Sequence, residues 1–275
     1  MDRRAAKLRG RRPDRQSTPE ETEVTDARPA DVTTDVTTDL VTEVSTVVAA
    51  RRGGPLSAAP DHADALRRLE AEHGRTEKSR RDPLDELLLT ILSQNTTDAN
   101  RDRAWRKLGE TFPDREAIRD ADREALREAI RPAGLVRQKS AAIQGVLERL
   151  EEERGSLDLA HLEGMEDEEA LHYLAGFSGV GIKTAACVLC FALRRPVIPV
   201  DTHVRRLAVR LGWAPEGSGA AAVHEVLNRE VPPELRYRLH VALIAHGRAT
   251  CTARSPDCEA CVLAGPCPRV GVEGG

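Results

Sequence analysis

Aromatic residues and long apolar runs are scarce in this sequence. Phe, Trp and Tyr make up 3% of its 275 residues, whereas charged side chains make up 31%. Because no run of about 18 apolar residues occurs, no transmembrane helix is predicted. The basic N-terminus is not followed by the apolar segment of a secretory signal, so we expect a cytoplasmic protein. The shortage of aromatic residues disfavours a sheet protein, and abundant Ala, Leu, Arg and Glu favour helices.

The distribution of charge is more informative than its sum. The formal net charge is -4, which is unusual for a protein that binds nucleic acid. Acidic residues outnumber basic ones by eight from 61 to 182, whereas basic residues outnumber acidic ones by four from 183 to 275. This asymmetry is compatible with a basic face that binds a polyanion.

Two kinds of sequence follow one another along the chain. Residues 1–58 are rich in Thr, Val and acidic residues and lack large apolar anchors, so we predict a disordered N-terminal extension. Its basic head either is dispensable or adds nonspecific attraction to nucleic acid. Beyond it nearly every segment has helical periodicity, which predicts an all-α protein of about ten helices. Only VIPV at 197–200 resembles a strand. The predicted helices start near 61 and 82 and continue around 98–109, 122–131, 137–152, 167–175, 182–194, 201–212, 219–230 and 234–247.

The segment GFSGVGIKT (176–184) is similar to a nucleotide-binding P-loop but differs at one position. In a P-loop, lysine follows the second glycine directly, whereas here Ile182 separates Gly181 from Lys183. The segment also fits two helices joined by a tight turn at Gly179-Val180-Gly181, where glycines permit positive φ. The N–H groups of the turn and of the next helix would then bind one phosphate. Such a helix-hairpin-helix grips a DNA backbone without reading sequence, and a purely structural turn is the alternative.

A lysine and an aspartate follow this turn at positions suited to chemistry. The helix dipole disfavours a cation at the first turn, and a lysine that sheds its proton there is a nucleophile able to form a Schiff base. Lys183 can equally be an ordinary phosphate contact. Asp201 follows the VIPV segment directly, which predicts a partly desolvated helix N-cap. It either only caps the helix or also takes the proton of Lys183 and stabilises positive charge as a sugar C1′ loses its base.

Four of the six cysteines lie close together near the C-terminus. They form the pattern C-x6-C-x2-C-x5-C, threaded with proline and glycine. In an intracellular protein such a cluster binds a metal more readily than it forms disulfides. Spacing alone makes zinc the default and a [4Fe–4S] cluster the competitor. Cys187 and Cys190 lie on a predicted buried helix and are interpreted as core packing. The metal-binding residues are Cys251, Cys258, Cys261 and Cys267.

These motifs together resemble the endonuclease III family of DNA glycosylases and AP lyases, from about residue 61 to 268. The hairpin GVGIKTA resembles the segment with the catalytic lysine, VDTHVRRL resembles the segment with the catalytic aspartate, and HGRATC begins the cysteine loop. The resemblance implies a [4Fe–4S] cluster in place of zinc. It also implies a base excision repair enzyme that removes oxidised pyrimidines from double-stranded DNA after flipping them out of the duplex. Lys183 would attack C1′ and hold the sugar as a Schiff base, the abasic strand would be nicked by β-elimination, and Asp201 would assist the proton transfers.

The resemblance further implies two all-α domains with DNA bound in the cleft between them. A six-helix, barrel-like domain with the helix-hairpin-helix would span 82–195. The iron–sulfur cluster domain would be a four-helix unit that combines 59–81 with 196–275. The active site would lie at the seam of the two domains, and we expect a monomer.

Several further residues are implied to contact DNA. Leu135, in Ala133-Gly134-Leu135, is the candidate wedge that fills the gap left by a flipped nucleotide, although it can instead cap its own helix. The segment from Ser93 to Asp98 would fill the same gap, with Asn95 where the family usually has glutamine. That change affects the expected range of lesions more than the chemistry. The full set of implied DNA contacts is Gly179, Val180, Gly181, Thr184, Gln94, Asn95, Leu135 and His203.

Two other classes of function compete with this interpretation. One is a monofunctional mismatch or uracil glycosylase of the same superfamily. The mismatch-specific adenine glycosylases share the cysteine loop but have no lysine at the position of Lys183. The other is a noncatalytic iron–sulfur protein that binds DNA and senses redox state. The presence of both Lys183 and Asp201 argues against it, since binding alone needs neither.

Overall fold

The protein is described by a computed structural model that covers residues 59–76 and 81–272. Within these residues the chain is all-helical and contains no strand, as expected. The predicted disordered extension, 1–58, lies outside them. The α-helices are α1 His62–His73, α2 Pro83–Ser93, α3 Asp98–Thr111, α4 Arg115–Arg119, α5 Arg123–Ala129, α6 Val136–Arg154, α7 Asp167–Ala175, α8 Ile182–Cys187, α9 Thr202–Arg210, α10 Ala220–Glu230 and α11 Arg236–Ala249.

Aspartate side chains determine where many of these helices begin. In each case a carboxylate oxygen of the N-cap residue accepts a hydrogen bond from one or two backbone N–H groups of the first turn. Those N–H groups have no partner within the helix, so the cap stabilises the start of the helix by about 1 kcal/mol. In α2 the cap is followed by Pro83, whose fixed φ suits the first helical position. The capping aspartates are Asp61, Asp82, Asp114, Asp122 and Asp201.

The helices pack around two separate hydrophobic cores. The first core gathers buried residues between Leu84 and Val197. The second combines Ala65, Leu66 and Leu69 of α1 with residues between Ile198 and Leu263. The chain therefore passes from one core to the other at 197–198, while the exact domain boundaries stay a prediction. No helix in the described part of the chain has the length and apolar character needed to cross a bilayer.

Local structure departs from the sequence-based expectation in three places. The short helix α4 was not predicted. The helix predicted over 182–194 is α-helical only to Cys187 and continues as a π-helical turn, Val188–Ala192. The strand-like segment at 197–200 pairs with no strand, because the amide side chain of Asn228 both donates to the carbonyl oxygen of Ile198 and accepts from its N–H group. A side chain thus satisfies the backbone groups that a neighbouring strand would otherwise bind.

Candidate active site

A cleft of about 650 Å³ lies where the two cores meet. Lys183, from α8 on the first core, and Asp201, at the start of α9 on the second core, both line it. The ring of Phe191, in the π-helical turn, contacts that of His240 on α11 with centroids 5.5 Å apart. The sequence-based expectation of a lysine and an aspartate at one seam therefore matches the geometry.

In the hairpin before Lys183, Gly179 is harder to replace by another residue than Gly181. Gly179 has φ of 80°, and a Cβ atom there would lie 2.8 Å from Cβ of Ala142 on α6. Gly181 has φ of -92°, and nothing lies within 4 Å of a Cβ placed there. The expectation of positive φ is therefore correct for Gly179 and wrong for Gly181. The open space at Gly181 instead lets another backbone approach the hairpin closely.

The surroundings of Lys183 include a thiol and a carboxyl group. Cys187 lies one turn further along α8, and burial raises the pKa of its thiol, although the positive charge of Lys183 opposes that effect. Glu86 on α2 lines the same cleft, and its carboxyl accepts a hydrogen bond from Thr90 at 3.4 Å. Burial raises the pKa of Glu86, although the positive charges of Arg81 and Lys183 oppose that effect. Sequence analysis did not identify Glu86, because an acidic residue early in a helix is also what helix stability favours.

Asp201 is confirmed as a helix N-cap. One carboxylate oxygen accepts from the N–H group of Val204 at 2.8 Å, which fixes the side chain at the cleft wall. Beside it, His240 is buried, and its Nδ1 lies 2.9 Å from the carbonyl oxygen of Pro199. Since a carbonyl only accepts, Nδ1 carries the proton. Burial lowers the pKa of His240 to about 4, so the cleft contains a neutral imidazole that sequence analysis missed.

The two proposed gap-filling residues share an uncommon backbone conformation. Asn95 has φ of 50° and Leu135 has φ of 48°, both in the left-handed region. Leu135 is 47% exposed and is the only exposed large apolar residue that the described part of the chain contains. An exposed apolar side chain on a turn supports the wedge assignment over a self-contained cap.

The other expected DNA contacts divide into two groups. Val180 and Thr184 have buried side chains, so only their backbone groups are suited to meet a phosphate. The N–H group of Val180 already donates to the carbonyl oxygen of Phe177 at 3.0 Å, which leaves the N–H group of Thr184 in the first turn of α8. Gln94 and His203 line the cleft. Nε2 of Gln94 also donates to the carbonyl oxygen of Gly179 at 3.1 Å, which ties the α2–α3 loop to the hairpin.

Basic side chains border the cleft despite the negative net charge. Arg101, Arg205 and Arg248 all line it together with Lys183. Arg248 on α11 also donates to Asp98 at the start of α3 at 2.8 Å. This bond links a helix of the second core to a helix of the first at the edge of the cleft. The carboxylates of Glu86, Asp98 and Asp201 also line the cleft, so its local charge is only slightly positive, which still suits a polyanion better than the net charge of -4 indicates.

The four clustered cysteines surround a small cavity at the end of α9. Arg210 donates to Sγ of Cys251 at 3.2 Å, and the N–H group of Leu263 donates to Sγ of Cys261 at 3.4 Å. Sulfur atoms that accept such bonds are typical of iron–sulfur ligands. No three His, Cys, Asp or Glu side chains within 59–76 and 81–272 are arranged to hold a single metal ion.

Comparisons with known proteins agree with this geometry. The HhH-GPD superfamily of base excision DNA repair proteins matches residues 88–233, and the iron-sulfur binding domain of endonuclease III matches residues 251–267. Endonuclease III of Haemophilus influenzae is 35% identical over 207 residues, which cover 74% of this chain and 93% of that protein. The "Putative DNA glycosylase" of Arabidopsis thaliana is 39% identical over 193 residues, 70% of this chain but only 65% of the plant protein.

A solved structure extends the comparison to three dimensions. The structure of a trapped endonuclease III–DNA covalent intermediate, an estranged-adenine complex, matches with a TM-score of 0.65 at 28% identity. The match covers 76% of this chain and 97% of that one. The expected [4Fe–4S] cluster is confirmed by the match over the cysteine loop, with Cys251 and Cys267 at its ends. Because the superfamily match spans more than half of the sequence, and because the Haemophilus influenzae relative is 35% identical and covered over 93% of its length, the chain belongs to the endonuclease III family, within the HhH-GPD superfamily of base excision DNA repair proteins.

Proposed function

We propose that this chain is a bifunctional DNA glycosylase and AP lyase that acts on oxidised pyrimidines in double-stranded DNA. The observation that carries the proposal is the meeting of Lys183 and Asp201 at one cleft from two separately packed cores. A lysine beside a carboxylate supports nucleophilic attack on a carbon, whereas hydrolysis by water alone needs no lysine. The similarity to a trapped endonuclease III–DNA covalent intermediate supports the same chemistry.

The proposed reaction proceeds through a covalent intermediate on Lys183. The neutral amine attacks C1′ of the flipped nucleotide, the bond from C1′ to the base breaks, and the base leaves with the bonding electrons. Loss of a proton from the lysine nitrogen and opening of the sugar ring give an iminium. Removal of a C2′ proton then expels the 3′ phosphate by β-elimination. Water finally releases the sugar fragment from Lys183. Asp201 takes and returns protons and stabilises the positive charge at C1′.

The surrounding residues would hold DNA for this reaction. Backbone N–H groups around Gly181 would bind one phosphate, and Arg101 and Arg248 supply positive charge at the edge of the cleft. Leu135 and Asn95 would fill the space left by the flipped nucleotide. The cluster, when bound, would tie the loop from Cys251 to Cys267 to α9 and takes no part in the chemical steps.

Borohydride trapping on an abasic duplex tests the lyase step. Wild-type protein should form a covalent complex with DNA, because borohydride reduces the iminium to a stable amine. Lys183→Ala should form none, and Asp201→Asn should slow trapping by about 10²–10⁴-fold. Lys107→Ala is the matched control, because Lys107 on α3 pairs with Glu128 and does not line the cleft. Wild-type protein that does not trap would remove the lyase assignment.

A panel of single-lesion oligonucleotides tests the substrate assignment. Thymine glycol and dihydrouracil should be released and the strand nicked, in preference to uracil and to adenine opposite 8-oxoguanine. Release of uracil without nicking would instead favour the monofunctional glycosylase. Binding without release of any base would favour the noncatalytic alternative. The monomeric state stays a prediction. So does the cytoplasmic location, where the enzyme would meet its DNA.

A further inference from the structure

Lys139 is a buried lysine that the reaction described above does not use. It lies in the first turn of α6 and is 1% exposed. Its Nζ donates to the carbonyl oxygens of Leu92 and Ala133, each at 2.8 Å. Burial lowers the pKa of its amine. Lysine is rarely buried this deeply unless its ammonium group is paired, and here two carbonyl oxygens provide the partners.

Both carbonyl groups belong to the ends of helical segments. Leu92 lies in the last turn of α2, and Ala133 is the last residue of the 3₁₀ turn Arg131–Ala133. Carbonyl groups at such ends lack partners within their own helix, and the helix dipole is negative there. The ammonium group of Lys139 therefore joins two helix ends that are distant in sequence.

The two helix ends lead directly into the two proposed gap-filling residues. Asn95 follows Leu92 by three residues, and Leu135 follows Ala133 by two. Both adopt the left-handed backbone conformation that non-glycine residues rarely have. Such a conformation persists when the surrounding structure holds it in place. Lys139 provides that support to both segments at once.

The hairpin is attached to the same end of α6. Ala142, one turn beyond Lys139, packs against Gly179 so closely that a Cβ there would lie 2.8 Å away. Gln94, next to Asn95, donates to the carbonyl oxygen of Gly179 at 3.1 Å. The start of α6 thus contacts all three segments that are proposed to meet DNA.

We propose that Lys139 is a positioning residue that sets the spacing between the Asn95 and Leu135 segments, so that both enter the gap left by a flipped nucleotide together. The inference rests on the proposed function, which assigns these two residues to the gap. Lys139 itself is too deeply buried to contact DNA and acts through the two backbone carbonyls. Its removal therefore weakens lesion recognition and leaves the chemistry of Lys183 intact.

Fluorescence of a lesion duplex tests this role with the full chain carrying its cluster. The duplex contains a tetrahydrofuran abasic analogue, which cannot react, opposite 2-aminopurine, whose fluorescence rises when it is unstacked. Wild-type protein should raise the fluorescence and bind this duplex more tightly than intact DNA. Lys139→Met, which keeps the apolar stem and removes the donors, should abolish the rise. It should also lower the preference for the lesion about tenfold, with little change in binding to intact DNA.

A matched variant distinguishes the loss of positioning from a general destabilisation of the core. Leu150→Ala removes buried volume at the other end of α6, away from both carbonyls, and should keep the fluorescence rise and the lesion preference. Lys139→Gln retains two N–H donors on a shorter stem and should recover part of the preference. If Lys139→Met does not fold, Lys139→Gln carries the test. Wild-type behaviour of a folded Lys139→Met, or equal losses in Leu150→Ala, would overturn the proposal.

Hydrogen exchange tests the role of Lys139 independently of the proposed function. In the absence of DNA, Lys139→Met or Lys139→Gln should accelerate amide exchange in both segments, 93–97 and 131–135, and Leu150→Ala in neither. Wild-type protein that does not distinguish the two duplexes would contradict the gap-filling roles and, with them, the proposed function. Unchanged exchange in either segment would contradict the role of Lys139 alone.

Discussion

The two cores differ in the polar groups that they bury. Among the described residues of the first core, one charged side chain is fully buried, that of Lys139, whose amine is satisfied by two carbonyl groups. The second buries an arginine and two histidines, and Arg210 donates to a cysteine sulfur and to the carbonyl groups of Thr252 and Ala253. Burial lowers the pKa of His240 and of His246 to about 4 in each case. The second core therefore depends on neutral imidazoles and on the cysteine loop, whereas the first depends mainly on apolar packing.

This difference bears on catalysis because each core supplies one residue of the proposed pair. Lys183 belongs to the core that is less sensitive to conditions, and Asp201 caps a helix of the more sensitive one. The cleft loses one wall whenever the second core loosens. Acidification, or loss of the cluster, should thus separate Asp201 from Lys183 before the helix that carries the lysine is affected.

The two tryptophans allow each core to be observed separately. Trp105 packs against the first core. Trp213 is buried in the second, where its indole N–H donates to the carbonyl oxygen of Pro60 at 2.8 Å. Since the sequence has only these two, Trp213→Phe leaves a reporter of the first core and Trp105→Phe a reporter of the second.

Loss of the cluster should have the largest effect and should be confined to the second core. Cys258→Ser removes one of the four proposed ligands, and because metal binding is coupled to folding, we expect a loss of at least about 3 kcal/mol there. In the Trp105→Phe background, thermal unfolding followed by Trp213 fluorescence should shift downward by roughly 10–20 °C, with loss of the visible cluster absorbance. In the Trp213→Phe background the transition reported by Trp105 should move by a few degrees at most. Equal shifts in both backgrounds would show that the two cores unfold as one unit.

Acidification should destabilise the second core by at most a comparable amount. The pKa of His240 is about 4 in the folded protein and about 6.5 when unfolded, so its contribution to stability is present above pH 6.5 and is lost as pH falls toward 4. A shift of this size corresponds to about 3 kcal/mol. Denaturant unfolding followed by Trp213 between pH 7 and 4 measures the loss.

A histidine variant shows how much of this loss belongs to one side chain. His240→Asn keeps an N–H donor for the carbonyl oxygen of Pro199 but does not titrate. Its free energy of unfolding should therefore depend less steeply on pH than that of the wild type, with His246 accounting for a remaining part. An unchanged slope would mean that His240 does not titrate on unfolding.

The parts of the site that were predictable from the sequence are those whose residues all lie in one short segment. The hairpin before Lys183, the N-cap Asp201 and the cysteine loop are each encoded within a few residues, and the structure has all three where expected. Helix positions were also predictable, because aspartate caps and apolar periodicity are local signals. The short helix α4 has an aspartate cap, Asp114, but its five residues are too few to show apolar periodicity, and the π-helical turn after Cys187 has no local signal.

The residues that were missed acquire their roles only through tertiary contacts. Lys139 is one lysine among many until α6 places it against two helix ends, and Glu86 is an ordinary helix residue until the cleft buries it. His240 likewise becomes neutral because α11 packs it beside the cleft. Spacing along the chain contains no information on these contacts, since the partners of Lys139 and of His240 lie up to 47 residues away.

The smallest expected effect concerns the first core and has the opposite dependence on pH. Burial raises the pKa of Glu86, so the neutral carboxyl contributes stability that is present at low pH and is lost as pH rises through the folded pKa. Glu86→Gln keeps the shape and removes the ionisation. In the Trp213→Phe background it should raise the melting temperature by about 1–3 °C at pH 8 and by less at pH 4. Arg81 at 3.8 Å limits the gain, because it already compensates part of the buried charge. A lower melting temperature at pH 8 would mean that the ionised Glu86 stabilises the cleft through Lys183. In that case the two cores would differ less in their electrostatics than their buried side chains indicate.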